Sequence, residues 1–151
     1  MESLTNKVQT IRVHAPAAAD KADITDATVI DMQGFEAVRF IVGFGAIVGG
    51  AATSVKVLQG AAKTNDTTLT SGADLAGTGI TVADDDDNTL VITDLIKPQE
   101  RYVQVQVLRA TQNSTVDLVI AELYGARKLP VVQDATVSSY EIHVSPAEGT
   151  A

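Results

Sequence analysis

Apolar and polar residues alternate along much of this chain, most clearly in residues 101–124 (RYVQVQVLRATQNSTVDLVIAELY). Val103, Val105 and Val107 fall on one side there, and Tyr102, Gln104, Gln106 and Leu108 on the other. Period two is the mark of a strand with two unlike faces. Residues 116–124 form a nearly continuous apolar run, with Val116, Leu118, Val119, Ile120, Ala121 and Leu123. The polar TQNST at 111–115 has the composition of a hairpin loop. The pattern predicts a long antiparallel hairpin, one strand half-polar and one well buried, with the three valines facing the core.

Further strands are expected at 8–13 (VQTIRV), 24–32 (ITDATVIDM), 35–48 (FEAVRFIVGFGAIV) and 54–59 (SVKVLQ). Pro16 breaks the stretch after the first. Residues 35–48 read as a central strand with 54–59 as its antiparallel partner. Gly43 and Gly45 within it signal a bulge, a bend or a close backbone approach. Residues 60–79 shift to Thr, Asp, Ala, Gly and Asn without strong periodicity, as expected of a functional or contact loop. Short strands at 80–83 and 90–92 flank Asp84-Asp85-Asp86-Asp87-Asn88, which then reads as a hairpin tip. Tyr140, Ile142 and Val144 alternate once more.

About eight strands separated by turn signals, with no convincing helical spacing, predict an all-β protein. The expected fold is an antiparallel two-sheet β-sandwich, jelly-roll-like. Residues 1–23 form an N-terminal arm, 24–128 the sandwich, and 129–151 a C-terminal extension expected to dock on a neighbouring subunit. Either 8–13 or 140–144 is expected to add to a neighbour's sheet.

Composition narrows the function. Hydrophobic residues are 45% of the chain but aromatics only 4%, so the core must be built from Val, Ile, Leu and Ala. A net charge of −8 disfavours nucleic acid, whose phosphates call for Lys and Arg. No cysteine is present, which excludes disulfides, thiol catalysis and thiolate metal sites. The longest apolar stretch, residues 40–52, is interrupted by four glycines and too short to span a bilayer. With Glu2, Lys7 and Arg12 preceding any apolar run, no signal peptide is visible, and the expectation is a soluble protein made in the cytoplasm.

The chemical motifs fail one by one. Asp84, Asp86 and Asn88 match the opening of an EF-hand, but Thr89 replaces its glycine and Leu95 its bidentate glutamate. They remain the sole Ca²⁺ candidate, beside the reading of a solvated tip whose carboxylates aid solubility. Gly43 and Gly45 open a dinucleotide fingerprint that lacks its third glycine at Val48. His14 and His143 lie near the chain ends, and no serine sits in a nucleophile elbow. No catalytic residue and no cofactor is expected. The neutral polar face of Tyr102, Gln104 and Gln106 leans toward a protein contact.

Four segments carry a resemblance: GFEAVRFIVGFG (34–45), SVKVLQG (54–60), KPQERYVQVQVLRA (97–110) and VDLVIAELYGARKLPV (116–131). With the small-residue tail that follows, they resemble the head decoration, or capsid cement, proteins of tailed bacteriophages. The resemblance implies a jelly-roll sandwich, commonly a homotrimer, on the outer capsid surface. Its partner would be the major capsid protein, and no membrane would be involved. A tail or baseplate component, or a carbohydrate- or small-ligand-binding jelly-roll module, stands as the alternative.

Overall fold

The computed structural model describes residues 3–150. Residues 1, 2 and 151, the outermost ends of the expected arm and extension, lie outside the described residues. A 3-10 turn (Leu4–Asn6) precedes twelve strands: β1 (Gln9–His14), β2 (Ala17–Asp20), β3 (Ile30–Asp31), β4 (Ala37–Ile47), β5 (Ala52–Gly60), β6 (Ala62–Asn65), β7 (Thr68–Thr70), β8 (Ala73–Asp74), β9 (Ile80–Val82), β10 (Leu90–Ile96), β11 (Tyr102–Ala110) and β12 (Ser114–Tyr124). Sheet A has the order β1-β12-β4-β10, with β2 also on β12. Sheet B has the order β3-β11-β5-β8, with β9 also on β5. Pairing is antiparallel throughout.

Setting aside β2, the β6–β7 hairpin and the two-residue β8 leaves eight strands. In that count sheet A runs first, eighth, third, sixth, and sheet B second, seventh, fourth, fifth. This is the strand order of a jelly roll. The all-β sandwich expected from the alternation is therefore the fold, with extra short strands beyond the expected eight.

The core is what the composition demanded. Val38, Phe40, Val42 and Phe44 of β4 and Val119, Ala121 and Leu123 of β12 face Val55 and Val57 of β5 and Val103, Val105 and Val107 of β11, all buried. Only two aromatic side chains, Phe40 and Phe44, belong to this buried cluster. β-Branched side chains standing off two pleated surfaces fill the roughly 10 Å between stacked sheets.

Several pairings differ from the sequence reading. Residues 101–108 and 116–124 are not hydrogen-bonded neighbours: β11 pairs with β5 and β3 in sheet B, and β12 with β4 and β1 in sheet A. Both strands have an apolar face, and stacking across the core buries both faces against each other, which a flat hairpin cannot do. The expected partnership of 35–48 with 54–59 fails likewise, because β4 and β5 belong to opposite sheets. The strands flanking the Asp84–Asp87 run also separate, β9 into sheet B and β10 into sheet A, so the run is an inter-sheet crossing and not a hairpin tip. The β4–β5, β9–β10 and β11–β12 crossings each contain a left-handed residue: Gly50 (φ +85°), Asn88 (φ +57°) and Thr111 (φ +69°).

Residues 9–20, read as an arm, supply β1 and β2 of sheet A. Gly43 and Gly45 mark the close approach anticipated: a Cβ on Gly45 would lie 2.9 Å from an Asp117 carboxylate oxygen, where the β12 register shifts. Residues 60–79 are not a structureless loop, since β6 and β7 pair and Leu69 is buried.

That hairpin covers the outer face of sheet B and explains Gln104. The side chain is buried, and its Nε2 donates to Ala27 O (2.6 Å), Thr67 O (2.8 Å) and Thr25 O (3.3 Å). The neutral polar face expected to meet another protein is thus partly consumed by the chain's own loops. Arg109, also buried, plays a like role: Nε donates to Ala22 O (2.7 Å) and Nη1 to Ser114 O (2.9 Å) and Ala18 O (3.1 Å), tying β2 to the sandwich.

A buried acceptor left without its donor costs about 1–3 kcal/mol, and near this chain length each kcal/mol moves Tm by roughly 2–4 °C. Gln104→Ala should therefore lower Tm by about 5 °C or more in a thermal melt. Gln106→Ala, on the same face and half-buried, should shift it far less.

Candidate interaction surface

The outer faces of the two sheets are treated differently. Sheet B is overlaid by β6–β7 and by the segment around Ala27, through the Gln104 bonds and through Val29 N donating to Asp66 O (2.8 Å). On sheet A the outward side chains of β10 are Leu90, Ile92, Asp94 and Ile96, and three of these are large exposed hydrophobics. Ile92 lies beside Ile41 of β4, which lies beside Ile120 of β12. Leu90 and Leu118 close over Gly43, where an added Cβ would stand 3.2 Å from each. Leu90, Ile92, Ile41, Ile120 and Leu118 form one apolar band from the sheet edge inward, and Ile96 stands beyond the row of Asp94, Arg39 and Glu122.

A polar belt borders the band. Arg39 Nε donates to Glu122 Oε2 (2.9 Å), with Nη2 on the same oxygen. The Glu122 carboxylate raises the Arg39 pKa, by hydrogen bonding first and by charge second. Tyr124 Oη donates to Asp94 Oδ1 (2.5 Å), and this bond, with burial, raises the phenol's pKa. The one charge on the outward face of β10 is thus already engaged.

β10 is also an open edge. Phe44 N donates to Thr89 O (2.9 Å) and Lys97 N to Glu36 O (2.8 Å), which sets the ladder's phase. By antiparallel alternation the backbone groups of Val91, Thr93 and Leu95 face β4, and those of Leu90, Ile92, Asp94 and Ile96 face outward. Edge strands usually carry protection: shortness, bulges, charge or a cover. Sheet B ends in β3 and β8, of two residues each, and β9, of three. β1 is bulged between Arg12 and His14 and covered by the chain's own 131–136 segment, with Thr10 N donating to Gln133 Oε1 (2.9 Å) and Arg12 N to Thr136 Oγ1 (2.9 Å). β10 has seven residues, an unbroken register, and neither proline nor glycine.

The candidate calcium residues are placed elsewhere and are occupied with the backbone. Asp84 Oδ2 accepts from Gly50 N, Asp86 Oδ2 from Ala83 N (2.9 Å), and the neighbouring Asp87 Oδ1 from Ile47 N (2.6 Å). Asn88 N donates to Gly45 O (3.2 Å). Asp84 and Asp87 therefore staple one inter-sheet crossing to the other, a task the tip reading missed. Among the described residues no group of three or more His, Cys, Asp or Glu is arranged to hold a metal ion. His14 and His143 stand apart, His14 near Asp26 (3.4 Å) and His143 near Glu141 (2.7 Å). A cleft of about 540 Å³ is open and lies at the far end of β10, lined by Lys97, Arg101, Arg127, Glu36 and Glu100 among others. Arg101 there binds Asp31 through two bonds (2.8 and 2.6 Å), which hold the Asp31 pKa below its usual value.

Sequence reasoning missed the apolar band. Residues 90–96 (LVITDLI) are apolar on both faces, a pattern that reads as burial on both sides. The available signal was the Asp94 interruption within a long two-faced apolar strand.

No family model matches the chain. No curated protein matches it either. Among solved structures, one of infectious bursal disease virus, Gx strain, overlaps 82% of this chain with a TM-score of 0.42 and 12% identity. This chain spans 33% of that one, about a third of its length.

Since Asp84 and Asp87 act as staples, the Asp84→Ala/Asp87→Ala pair should lower Tm by several degrees, each lost charge-assisted bond being worth on the order of 1 kcal/mol at an exposed site. Calcium or a chelator should leave the Tm of the unaltered protein in place. A calcium-dependent rise would reveal a bound ion through mass action.

Proposed function

We propose that this chain is a virion structural protein that decorates and stabilises the outer surface of a bacteriophage capsid. In this reading it binds the major capsid protein where subunits meet, associates with itself as a homotrimer, and performs no catalysis. The observation that carries the reading is the apolar band on sheet A. A chain that covers the outer face of one sheet with its own loops, yet leaves Leu90, Ile92 and Ile96 exposed on the other, is built to be covered by protein. The four segments resembling head decoration proteins support the same conclusion. They include β4, which carries Ile41, and β12, which carries Leu118 and Ile120.

A protein of this kind gains avidity from a composite site: several weak contacts act jointly only when two or three capsid subunits are already assembled. It should therefore add to preformed, expanded shells and hardly at all to isolated capsid subunits. Because the band is apolar, binding should change little between low and molar salt, where exposed ion pairs are screened within about 3 Å. Ile120→Glu, on the band but away from the open edge, should weaken shell binding by about tenfold or more, read by co-sedimentation. Shells that lack the protein should rupture at lower temperature or under osmotic shock. Equal resilience with and without it would refute the stabilising role, and recovery on purified tails would favour a tail component.

A further inference from the structure

The structure holds two unsatisfied features that match. One is the open edge of β10, with four residues whose backbone groups face outward beside an apolar row. The other is the chain beyond Tyr140, where Ile142 and Val144 are exposed at period two and belong to no sheet. We propose that the segment following Tyr140 (residues 141–148) of one copy adds as a parallel strand to the β10 edge of a second copy. The proposal deepens the assembly reading above but does not require a capsid.

The partner must be another copy. Tyr140 lines a hollow with Thr10 of β1 and Glu122 of β12. From β12 to β10 the sheet crosses two strand spacings, about 10 Å. Two extended residues reach at most about 7 Å, so with Tyr140 in its hollow Ile142 cannot lie along its own β10.

Charge sets the direction. The acidic run at 84–87 precedes β10, and Lys97 follows it, sharing the cleft with Arg127. In a parallel alignment Ile142 lies beside Leu90 and Val144 beside Ile92, which brings Glu148 beside Ile96, next to Lys97. The antiparallel alignment with the same apolar match brings Glu148 beside Asp86, into like charge. The parallel register also tolerates Pro146. Its bonding residues are Glu141, His143, Ser145 and Ala147, so the missing N–H of Pro146 costs no ladder bond. Ser145, at φ +35° in the free chain, leaves that left-handed conformation when the segment straightens.

The surface area agrees. A compact monomer of 15.8 kDa should expose about 7,300 Å². This chain exposes 8794 Å². The surplus, about 1,500 Å², is the size of a standard protein–protein interface. Because donor and acceptor are different surfaces, the contact is heterologous, and it closes into a trimeric ring when successive copies are related by a third of a turn.

The chain has no cysteine, so an introduced pair is unique. Leu90→Cys/Ile142→Cys, both at exposed positions, should give products larger than one chain with a short thiol-specific cross-linker at micromolar concentration, ending at one ring size. Ile96→Cys/Glu148→Cys should behave the same way, and Asp86→Cys/Glu148→Cys should not. Ile92→Lys in the cysteine-free protein should weaken self-association by tenfold or more by light scattering, with an unchanged circular dichroism spectrum. Only intrachain product, or none with a monomeric mass, would overturn the proposal; cross-linking of 86 with 148 in place of 96 with 148 would overturn its direction. Because only the purified protein is used, failure here is separate from failure to bind shells.

Discussion

Everything in this fold follows from having to build a core that is more than half valine and nearly free of aromatics. Side chains that are short, branched and stiff at χ1 fill space well when two pleated faces oppose each other, and poorly when a single sheet must curl around them. Val55, Val57, Val103, Val105 and Val107 on sheet B meet Val38, Val42, Val116 and Val119 on sheet A, with Phe40 and Phe44 filling the places valine is too small to fill. That opposition makes the long strands β4, β5, β10, β11 and β12 alternate between the sheets. The chain then needs crossings rather than hairpins, and β4–β5, β9–β10 and β11–β12 all cross. Asp84 and Asp87 bind the crossings to one another, and the left-handed residues Gly50, Asn88 and Thr111 turn them.

The same constraint explains what the sequence could and could not disclose. Alternation located β1, β4, β5, β11 and β12 and placed Val103, Val105 and Val107 inward, because the period of two is a local property. It could not say which strands pair, because a strand's apolar face looks the same whether its partner lies beside it or across the core. Hence the reading of 101–124 as a hairpin, when β11 and β12 stack across the core. Gln104 shows a second kind of blindness. A glutamine at an outward position reads as solvated until residues 25–27 and 67 are known to lie over it. The apolar band was hidden for the converse reason, since Leu90, Ile92 and Ile96 share a strand with Val91 and Leu95, and the strand as a whole reads as buried.

Function, in this account, follows from asymmetry between the sheets. Sheet B is finished by its own chain, through β6–β7, the Gln104 bonds and the short edge strands β3, β8 and β9. Sheet A is finished at β1 by the 131–136 segment and unfinished at β10. Soluble β-proteins keep long, regular, apolar edges out of contact with their own kind unless contact is the purpose. The outward band and the free edge are adjacent: one offers apolar side chains, the other unpaired backbone groups.

Hydrogen exchange at β10 tests the central claim most directly. In dilute protein the amides of Leu90, Ile92, Asp94 and Ile96 should exchange far faster than those of Val91, Thr93 and Leu95, which donate to β4. On assembly the first set should become protected while the second changes little. Equal protection of both sets in the dilute, monomeric protein, or continued fast exchange of the outward four in the assembled form, would contradict the account.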